Sequence, residues 1–295
     1  MYDVIIIGGG PAGLTSALYL LRADKKVLIL EKENIGGQIT SSSKVANYPG
    51  FGEISGMELM DNLYNQVVNL GGEVALEEAL KIDDDNTVIT DCGKYKAKAI
   101  ILAVGSKNKV LGIEREEEFV GRGISFCVSC DGAFYQGKTV AVVGGGNSAI
   151  SEALSLADIC RKVYIIQKED NLTCEEVLKE KLKVKDNIEI LYNSEVVSYL
   201  GDNDIKGIVV KTIDGKIKLD VEGIFLAIGL VPSTSFIADL LMLDKNNYIL
   251  SDDTLTDKTG IFVAGDCRSK KYRQLTTAVS DGTVAALNAI NYLNN

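Results

Sequence analysis

The chain has 295 residues, of which 46% are hydrophobic and 24% are charged, as is typical of a soluble globular protein. This length is sufficient for two domains, each with a core of its own. The formal net charge of -10 argues against nucleic acid or an anionic membrane as the main partner.

The six cysteines have no regular spacing and do not resemble the disulfide framework of a secreted domain. The sequence passes from Met1 almost directly into an apolar stretch at residues 4–7, which leaves no room for a leader peptide. No apolar run reaches the ~18 residues that a membrane span needs. We therefore expect a cytoplasmic protein, in which a close pair of cysteines is more often catalytic than structural.

The first predicted unit is a nucleotide-binding fold. A β-branched strand over residues 4–7 runs into a glycine loop at residues 8–13, and a helix over residues 14–21 and a strand over residues 27–30 follow. This is the dinucleotide fingerprint, in which the glycines give a tight turn, close approach of a pyrophosphate and helix packing, and an acid bonds ribose hydroxyls. The predicted nucleotide-binding residues are Gly8, Gly10, Pro11, Ala12, Gly13 and Glu31.

Two cysteines further along, Cys127 and Cys130, are separated by two residues. This spacing allows a small disulfide and lowers the pKa of one thiol, which makes a thiolate nucleophile available. A zinc site would need a second cysteine pair or histidines, and the chain has no histidine. A redox dithiol is therefore favoured over zinc or two inert thiols. Partial burial of the adjacent Asp131 would raise its pKa toward the working range of an acid or base.

A second unit of the same type begins with a strand over residues 139–143 and a G-x-G-x-x-A loop over residues 144–149. The repeat predicts two Rossmann-like domains. Strands over residues 188–191, 205–212 and 217–219 are expected to add an antiparallel sheet to the second domain. A Gly-Asp turn and a closing helix near the end predict that the first domain is split. We expect residues 1–113 and 246–295 to form one domain and residues 114–245 to form the inserted one.

In order and spacing, these motifs resemble the low-molecular-weight thioredoxin reductases, which are homodimeric FAD proteins. In that family, a pyridine-nucleotide-type domain carrying the redox dithiol is inserted into the FAD-binding domain. The matching stretches are Gly8 to Gly13, Gly36-Gly37-Gln38, Asn47-Tyr48-Pro49-Gly50, Cys127 to Asp131, Gly144 to Ala149, Ala264-Gly265-Asp266 and Arg273-Gln274.

The resemblance implies an α/β fold of two Rossmann-like FAD/NAD(P)-type domains, FAD as the cofactor, a homodimer, and thioredoxin-disulfide reductase activity. It implies that Cys130 faces the flavin, that Cys127 attacks thioredoxin, and that Asp131 exchanges protons. The absence of histidine agrees, because the other large class of flavin disulfide reductases uses a histidine base. The family resemblance also implies further FAD contacts, at Gly37, Gln38, Asn47, Gly105, Gly265, Asp266, Arg273 and Gln274.

The second glycine loop departs from the family pattern. Members that use NADPH carry His-Arg-Arg and a further arginine, whereas this chain has Gln167-Lys168-Glu169 and Thr173. An anion ~4 Å from the 2′-phosphate would repel it by about 4 kcal/mol at an effective dielectric constant of ~20, so we do not expect NADPH to be the donor. Glu169 is spaced for an NADH ribose, which leaves NADH open. We favour loss of nucleotide binding, as in the ferredoxin-dependent flavin thioredoxin reductases that this sequence resembles most.

A short basic cluster follows the Gly-Asp turn, formed by Arg268, Lys270, Lys271 and Arg273. It is either a docking patch for an acidic ferredoxin or an ordinary solvated loop. A ferredoxin:NADP reductase of this fold would lack the C-x-x-C motif. A flavin-bound redox sensor without turnover stays open as an alternative from a different class.

Overall fold

In a computed structural model that describes residues 1–42 and 44–295, the chain folds into two compact units. The first contains Met1–Lys107 and Val231–Asn295, and the second contains Asn108–Leu230. The strands are β1 (Tyr2–Ile7), β2 (Val27–Glu31), β3 (Glu73–Leu76), β4 (Ala79–Ile82), β5 (Thr87–Thr90), β6 (Lys94–Leu102), β7 (Ser106–Asn108), β8 (Ile124–Ser125), β9 (Thr139–Val143), β10 (Lys162–Ile166), β11 (Ile188–Leu191), β12 (Glu195–Leu200), β13 (Gly207–Thr212), β14 (Gly215–Leu219), β15 (Gly223–Leu226), β16 (Leu230–Pro232) and β17 (Ile261–Val263). The helices are α1 (Pro11–Arg22), α2 (Gly56–Asn69), α3 (Glu116–Phe119), α4 (Val128–Asp131), α5 (Asn147–Ala157), α6 (Glu176–Lys183) and α7 (Leu275–Asn294).

The first unit is built on a sheet of strand order β3-β2-β1-β6-β5-β4, in which β17 also pairs with β6. Strands β1, β2, β3, β6 and β17 run parallel, and β4 and β5 form an antiparallel extension. Val4 and Ile6 join a core with helices α1, α2 and α7, whereas Ile5 and Ile7 join a second core on the opposite face. Because both faces of the sheet are covered, its central strand is apolar at consecutive positions.

The second unit has a parallel sheet of order β11-β10-β9-β15-β8 and a three-stranded antiparallel sheet of order β12-β13-β14. One prediction for this unit is wrong, since residues 188–191 pair in parallel with β10 rather than joining the antiparallel sheet. Two parallel strands need a crossover connection between them, usually a helix. Helix α6 provides this connection between β10 and β11, and its highly charged sequence did not indicate a helix packed against the sheet.

The chain passes from one unit to the other between residues 107 and 108 and again between residues 230 and 231. Both predicted boundaries, at 113/114 and 245/246, therefore lie too far towards the C-terminus. The acidic run that suggested a linker belongs to the second unit, because the buried Glu116 accepts hydrogen bonds from the backbone N–H groups of Leu111 and Gly112. Residues Ile237 and Leu241 are buried in the core of the first unit. The connecting strands β7 and β16 pair with each other.

None of the helices in the described part of the chain is both long enough and apolar enough to cross a membrane.

Candidate functional site

The dithiol turn, residues 127–131, lies in the second unit. Cys127 and Cys130 form a disulfide, with their Cα atoms 5.3 Å apart. The Cys127 carbonyl accepts hydrogen bonds from the N–H groups of Cys130 at 3.2 Å and Asp131 at 3.0 Å. This single turn of helix places residues three apart on the same face, so the two sulfurs meet. Both cysteines are partly exposed, and exposure therefore does not distinguish their roles.

Asp131 is partly buried at the end of this turn. Burial raises the pKa of Asp131, as its position in the sequence suggested, and a hydrogen bond from Ser125 opposes the rise. The Ser125 hydroxyl donates this bond to Asp131 Oδ2 at 2.6 Å. Sequence reasoning missed Ser125, because a serine in a short apolar strand carries no signal beyond its position two residues before the first cysteine.

The other cysteines, Cys92, Cys160, Cys174 and Cys267, are free thiols, and three of them are buried. The disulfide between Cys127 and Cys130 thus favours a redox dithiol over the zinc and inert-thiol alternatives.

The first glycine loop, residues 8–13, shows why glycine is required at its two ends. Gly8 has a φ of +109°, and a Cβ there would lie 2.3 Å from the Ala103 carbonyl oxygen. A Cβ at Gly13 would lie 1.9 Å from the Gly8 carbonyl oxygen. The Gly9 N–H donates to the Glu31 carboxylate at 2.7 Å, which ties the loop to the end of β2.

Several predicted cofactor residues gather around this loop. A Cβ on Gly37 would lie 3.3 Å from Gly10 Cα, and one on Gly265 would lie 3.0 Å from Ala12 Cβ. Gln38 donates a side-chain hydrogen bond to the Ser106 carbonyl, one residue beyond Gly105. Asn47 is exposed and lies outside the helices and strands.

Two features of the first unit fit a bound dinucleotide such as FAD. A Cβ on Gly10 would meet no atom within 4 Å, so space is open at the N-terminus of α1, where backbone N–H groups and the helix dipole favour a pyrophosphate. Asp266 Oδ1 is buried and accepts no hydrogen bond within the described part of the chain, and burial raises the pKa of Asp266. A ligand hydroxyl would satisfy that oxygen.

Arg273 and Gln274 support the Gly-Asp turn and the closing helix. The Arg273 guanidinium donates to the carbonyls of Asp266, Arg268 and Lys270 at 3.1 to 3.2 Å and lies 4.0 Å from the centre of the Tyr248 ring. Gln274 forms a capping box with Thr277 at the start of α7. These contacts position the turn that carries Asp266.

The basic cluster does not form an open docking patch. Arg268 and Lys270 have side chains only 13% and 12% exposed, and both pair with Asp281 at 2.8 Å. Arg273 is committed to backbone carbonyls, as described above. Lys271 alone of the four is exposed. Both sequence-based interpretations of this cluster, a docking patch and an ordinary solvated loop, are therefore wrong for Arg268 and Lys270, because an acid that is distant in sequence folds against them.

The second glycine loop, residues 144–149, repeats the geometry of the first. The Gly144 N–H bonds to Ile166 O, as the Gly8 N–H bonds to Leu30 O, which makes Gln167 the equivalent of Glu31. The acid at this position is thus replaced by a neutral amide, and Glu169 lies two residues beyond it.

The chain itself covers this second loop. Gln167 is 6% exposed, and its Cδ would lie 2.5 Å from a Cβ on Gly145. The Thr173 N–H donates to the Gly145 carbonyl at 2.9 Å. Asn147, the first residue of α5, exchanges two hydrogen bonds with Glu175, at 2.8 and 3.1 Å.

Fold and site together define a nucleotide-binding disulfide oxidoreductase. The sequence model of the pyridine nucleotide-disulphide oxidoreductase family matches residues 2–282, and the chain belongs to this family. The thioredoxin reductases of this family are FAD-binding flavoproteins, and FAD is the cofactor of this chain.

Proteins similar to this chain cover nearly its whole length. The "Thioredoxin reductase" of Listeria monocytogenes is 40% identical over 99% of this chain and 94% of its own length. The "34.2 kDa protein in rubredoxin operon" of Clostridium pasteurianum is 43% identical over 99% of this chain and 97% of its own. The crystal structure of thioredoxin reductase from Streptococcus pyogenes has a TM-score of 0.96 at 36% identity and covers 100% of this chain and 98% of that one. The predicted α/β fold with two Rossmann-type domains is confirmed.

Proposed function

We propose that this chain is a thioredoxin reductase that reduces the thioredoxin disulfide through Cys127 and Cys130. The observation that carries the proposal is the Cys127–Cys130 disulfide beside a half-buried acid, in a chain of a disulfide oxidoreductase family. Relatives that bear the name thioredoxin reductase, of nearly the same length, support the choice of substrate.

The residues of the dithiol turn suffice for the exchange chemistry. FAD held at the first glycine loop would supply two electrons, and with two protons the disulfide would become two thiols. The Cys127 thiolate attacks one sulfur of the thioredoxin disulfide and forms a mixed disulfide. Cys130 then attacks Cys127 Sγ, which restores the intramolecular disulfide and releases reduced thioredoxin with both electrons. Asp131 accepts and returns protons during these steps.

The order of the two cysteines follows from the family resemblance, with Cys130 toward the flavin and Cys127 toward thioredoxin. The residues assigned to FAD are those predicted from the sequence: Gly8, Gly10, Pro11, Ala12, Gly13, Glu31, Gly37, Gln38, Asn47, Gly105, Gly265, Asp266, Arg273 and Gln274. We also propose a cytoplasmic homodimer, which light scattering of the flavin-loaded protein would test.

We propose ferredoxin as the electron donor, because the second glycine loop is poorly suited to a nicotinamide nucleotide. Its strand ends in the buried amide of Gln167 where a ribose-binding acid would lie, and the loop is engaged by Thr173 and Glu175. Lys168, the one cation left of the family pattern, lies 3.9 Å from Glu195. NADH and NADPH are the rival donors, and NADH is less favoured than ferredoxin because Glu169 lies beyond the ribose-binding position.

The test is anaerobic reduction of the flavin, followed by absorbance, with NADPH, NADH and reduced ferredoxin in turn. We expect bleaching by ferredoxin and multiple turnovers when oxidised thioredoxin is added. Fast bleaching by NADPH would overturn the choice of donor and leave thioredoxin reductase activity standing. A Cys127→Ser variant, in which the flavin is still reduced, should show no turnover. Failure of the wild-type protein to turn over thioredoxin with any donor would favour a redox sensor.

A further inference from the structure

We propose that Ser125 is a positioning residue, which holds the Asp131 carboxylate and the Cys127 backbone in one hydrogen-bonded unit and thereby sets how readily protons move at the dithiol. The inference deepens the function proposed above and rests on it. Ser125 contacts the dithiol turn but is not part of the C-x-x-C-D motif.

The geometry places Ser125 at the centre of the turn. Its hydroxyl donates a hydrogen bond to Asp131 Oδ2 at 2.6 Å. The oxygen of this hydroxyl, Ser125 Oγ, also accepts a hydrogen bond from the Cys127 N–H at 3.1 Å. Ser125 is 4% exposed and lies in strand β8, which pairs with β15 in the parallel sheet. One side chain fixed by the sheet therefore orients both the first cysteine and the acid.

The surroundings of Asp131 leave Ser125 as the group that opposes the effect of burial. Burial raises the pKa of Asp131, and the Ser125 hydrogen bond lowers it because it stabilises the carboxylate. The nearby Tyr135 has a pKa raised to about 12 by burial and by the charges of Asp131 and Asp204, so it stays neutral. On α5, which packs against α4, Glu152 has its pKa raised by burial alone.

The sign of the expected change follows from this balance. Without the Ser125 hydroxyl, Asp131 keeps its proton to a higher pH, and a smaller fraction of the enzyme has a carboxylate ready to accept a proton from the dithiol. Activity should therefore fall most at the acidic end of the pH range. At alkaline pH, where Asp131 is ionised in both proteins, the rates should converge.

The test compares Ser125→Ala with Ser125→Thr, which keeps the hydroxyl, and with Ser155→Ala. Ser155 is a matched control on α5, because the hydrogen bond that its hydroxyl donates within the described part of the chain goes to the Ser151 carbonyl of its own helix. For Ser125→Ala, kcat/KM for thioredoxin should fall about tenfold at acidic pH, as expected for losing a hydrogen bond to a charged group. In the profile of kcat/KM against pH, the rise on the acidic side should move to higher pH. Ser125→Thr should restore the profile, and Ser155→Ala should match the wild type.

A double-mutant cycle with Asp131→Asn separates positioning from general damage to the fold. If Ser125 acts through Asp131, Ser125→Ala should have little further effect in the Asp131→Asn background. A uniform drop in rate at every pH, or an equal drop in both backgrounds, would overturn the proposal. Flavin content and melting temperature identify a variant that fails to fold.

A second measurement does not depend on thioredoxin. The rate at which iodoacetamide alkylates the chemically reduced dithiol, followed against pH, should be displaced to lower pH in Ser125→Ala, because an Asp131 that keeps its proton repels a neighbouring thiolate less. Ser125→Thr should restore the wild-type profile. If the wild type does not reduce thioredoxin but this displacement occurs, the proposed function fails and the role of Ser125 stands. If the alkylation profiles coincide, the role of Ser125 fails.

Discussion

Asp281 holds the Gly-Asp turn at residues 265–266 in place, and replacing it should destabilise the first unit. Its Oδ1 accepts from Arg268 at 2.8 Å, and its Oδ2 accepts from Lys270 at 2.8 Å and from the Gly265 N–H at 3.1 Å. The three charged side chains are only 12 to 13% exposed. Asp281→Ala would leave two buried cations with one partner fewer. Removing one member of a buried ion pair costs about 3–5 kcal/mol.

The assay is equilibrium urea unfolding of the flavin-loaded protein, followed by flavin fluorescence, which reports release from the first unit. We expect a decrease of about 3–5 kcal/mol in the free energy of unfolding, together with weaker FAD binding, because the turn carrying Asp266 loses its support. Asp83→Ala is the matched control, since its partner Lys81 is 66% exposed and exposed pairs contribute little. A change within about 0.5 kcal/mol of the wild type, the range of an ordinary surface substitution, would refute this reasoning.

Three other substitutions test the second unit and the first glycine loop. Burial raises the pKa of Glu152 from its ordinary 4.5 to about 7, so the folded state keeps a proton that the unfolded chain releases, and stability falls as the pH rises through that window. Glu152→Gln should remove this loss. The free energy of unfolding, measured with urea, should therefore rise by about 3 kcal/mol near pH 8 and almost not at all near pH 4. An equal gain at both pH values would contradict the prediction. Gly13→Ala, whose Cβ would lie 1.9 Å from Gly8 O, should lower the melting temperature of the flavin-free protein. In Gly10→Ala the added Cβ meets open space, so this variant should lose flavin content but keep the melting temperature of the flavin-free wild type. Equal melting temperatures for flavin-free Gly13→Ala and Gly10→Ala would contradict the steric argument.

Local sequence rules were sufficient for the nucleotide loops and the dithiol. The glycines at positions 8 and 13 follow from a turn in which any Cβ would strike a backbone oxygen. The spacing of Cys127 and Cys130 follows from one turn of helix, which brings residues three apart together. Such features depend on neighbours within a few residues, so the sequence displays them directly.

The domain boundaries and the fate of the charged segments were decided by contacts distant in sequence. The acidic run at residues 114–118 looked like a linker, but Glu116 is buried and bonds to Tyr199 at 2.8 Å. Arg268 and Lys270 looked like a surface patch until α7 brought Asp281 against them. Sequence alone cannot show which charges find a buried partner, since burial depends on what packs above them.

The sequence by itself therefore determined the fold class, the redox motif and the two glycine loops, because each depends on residue types at short, fixed spacings. Only the tertiary structure decided what those residues meet. It placed the Ser125 hydroxyl on Asp131 and gave Gln167 the position in the second sheet that Glu31 has in the first. It left Asp266 Oδ1 buried, with Lys270 Nζ 3.5 Å away and no hydrogen bond among the described residues. Each of these depends on strands, helices and turns that converge only when the sheets form.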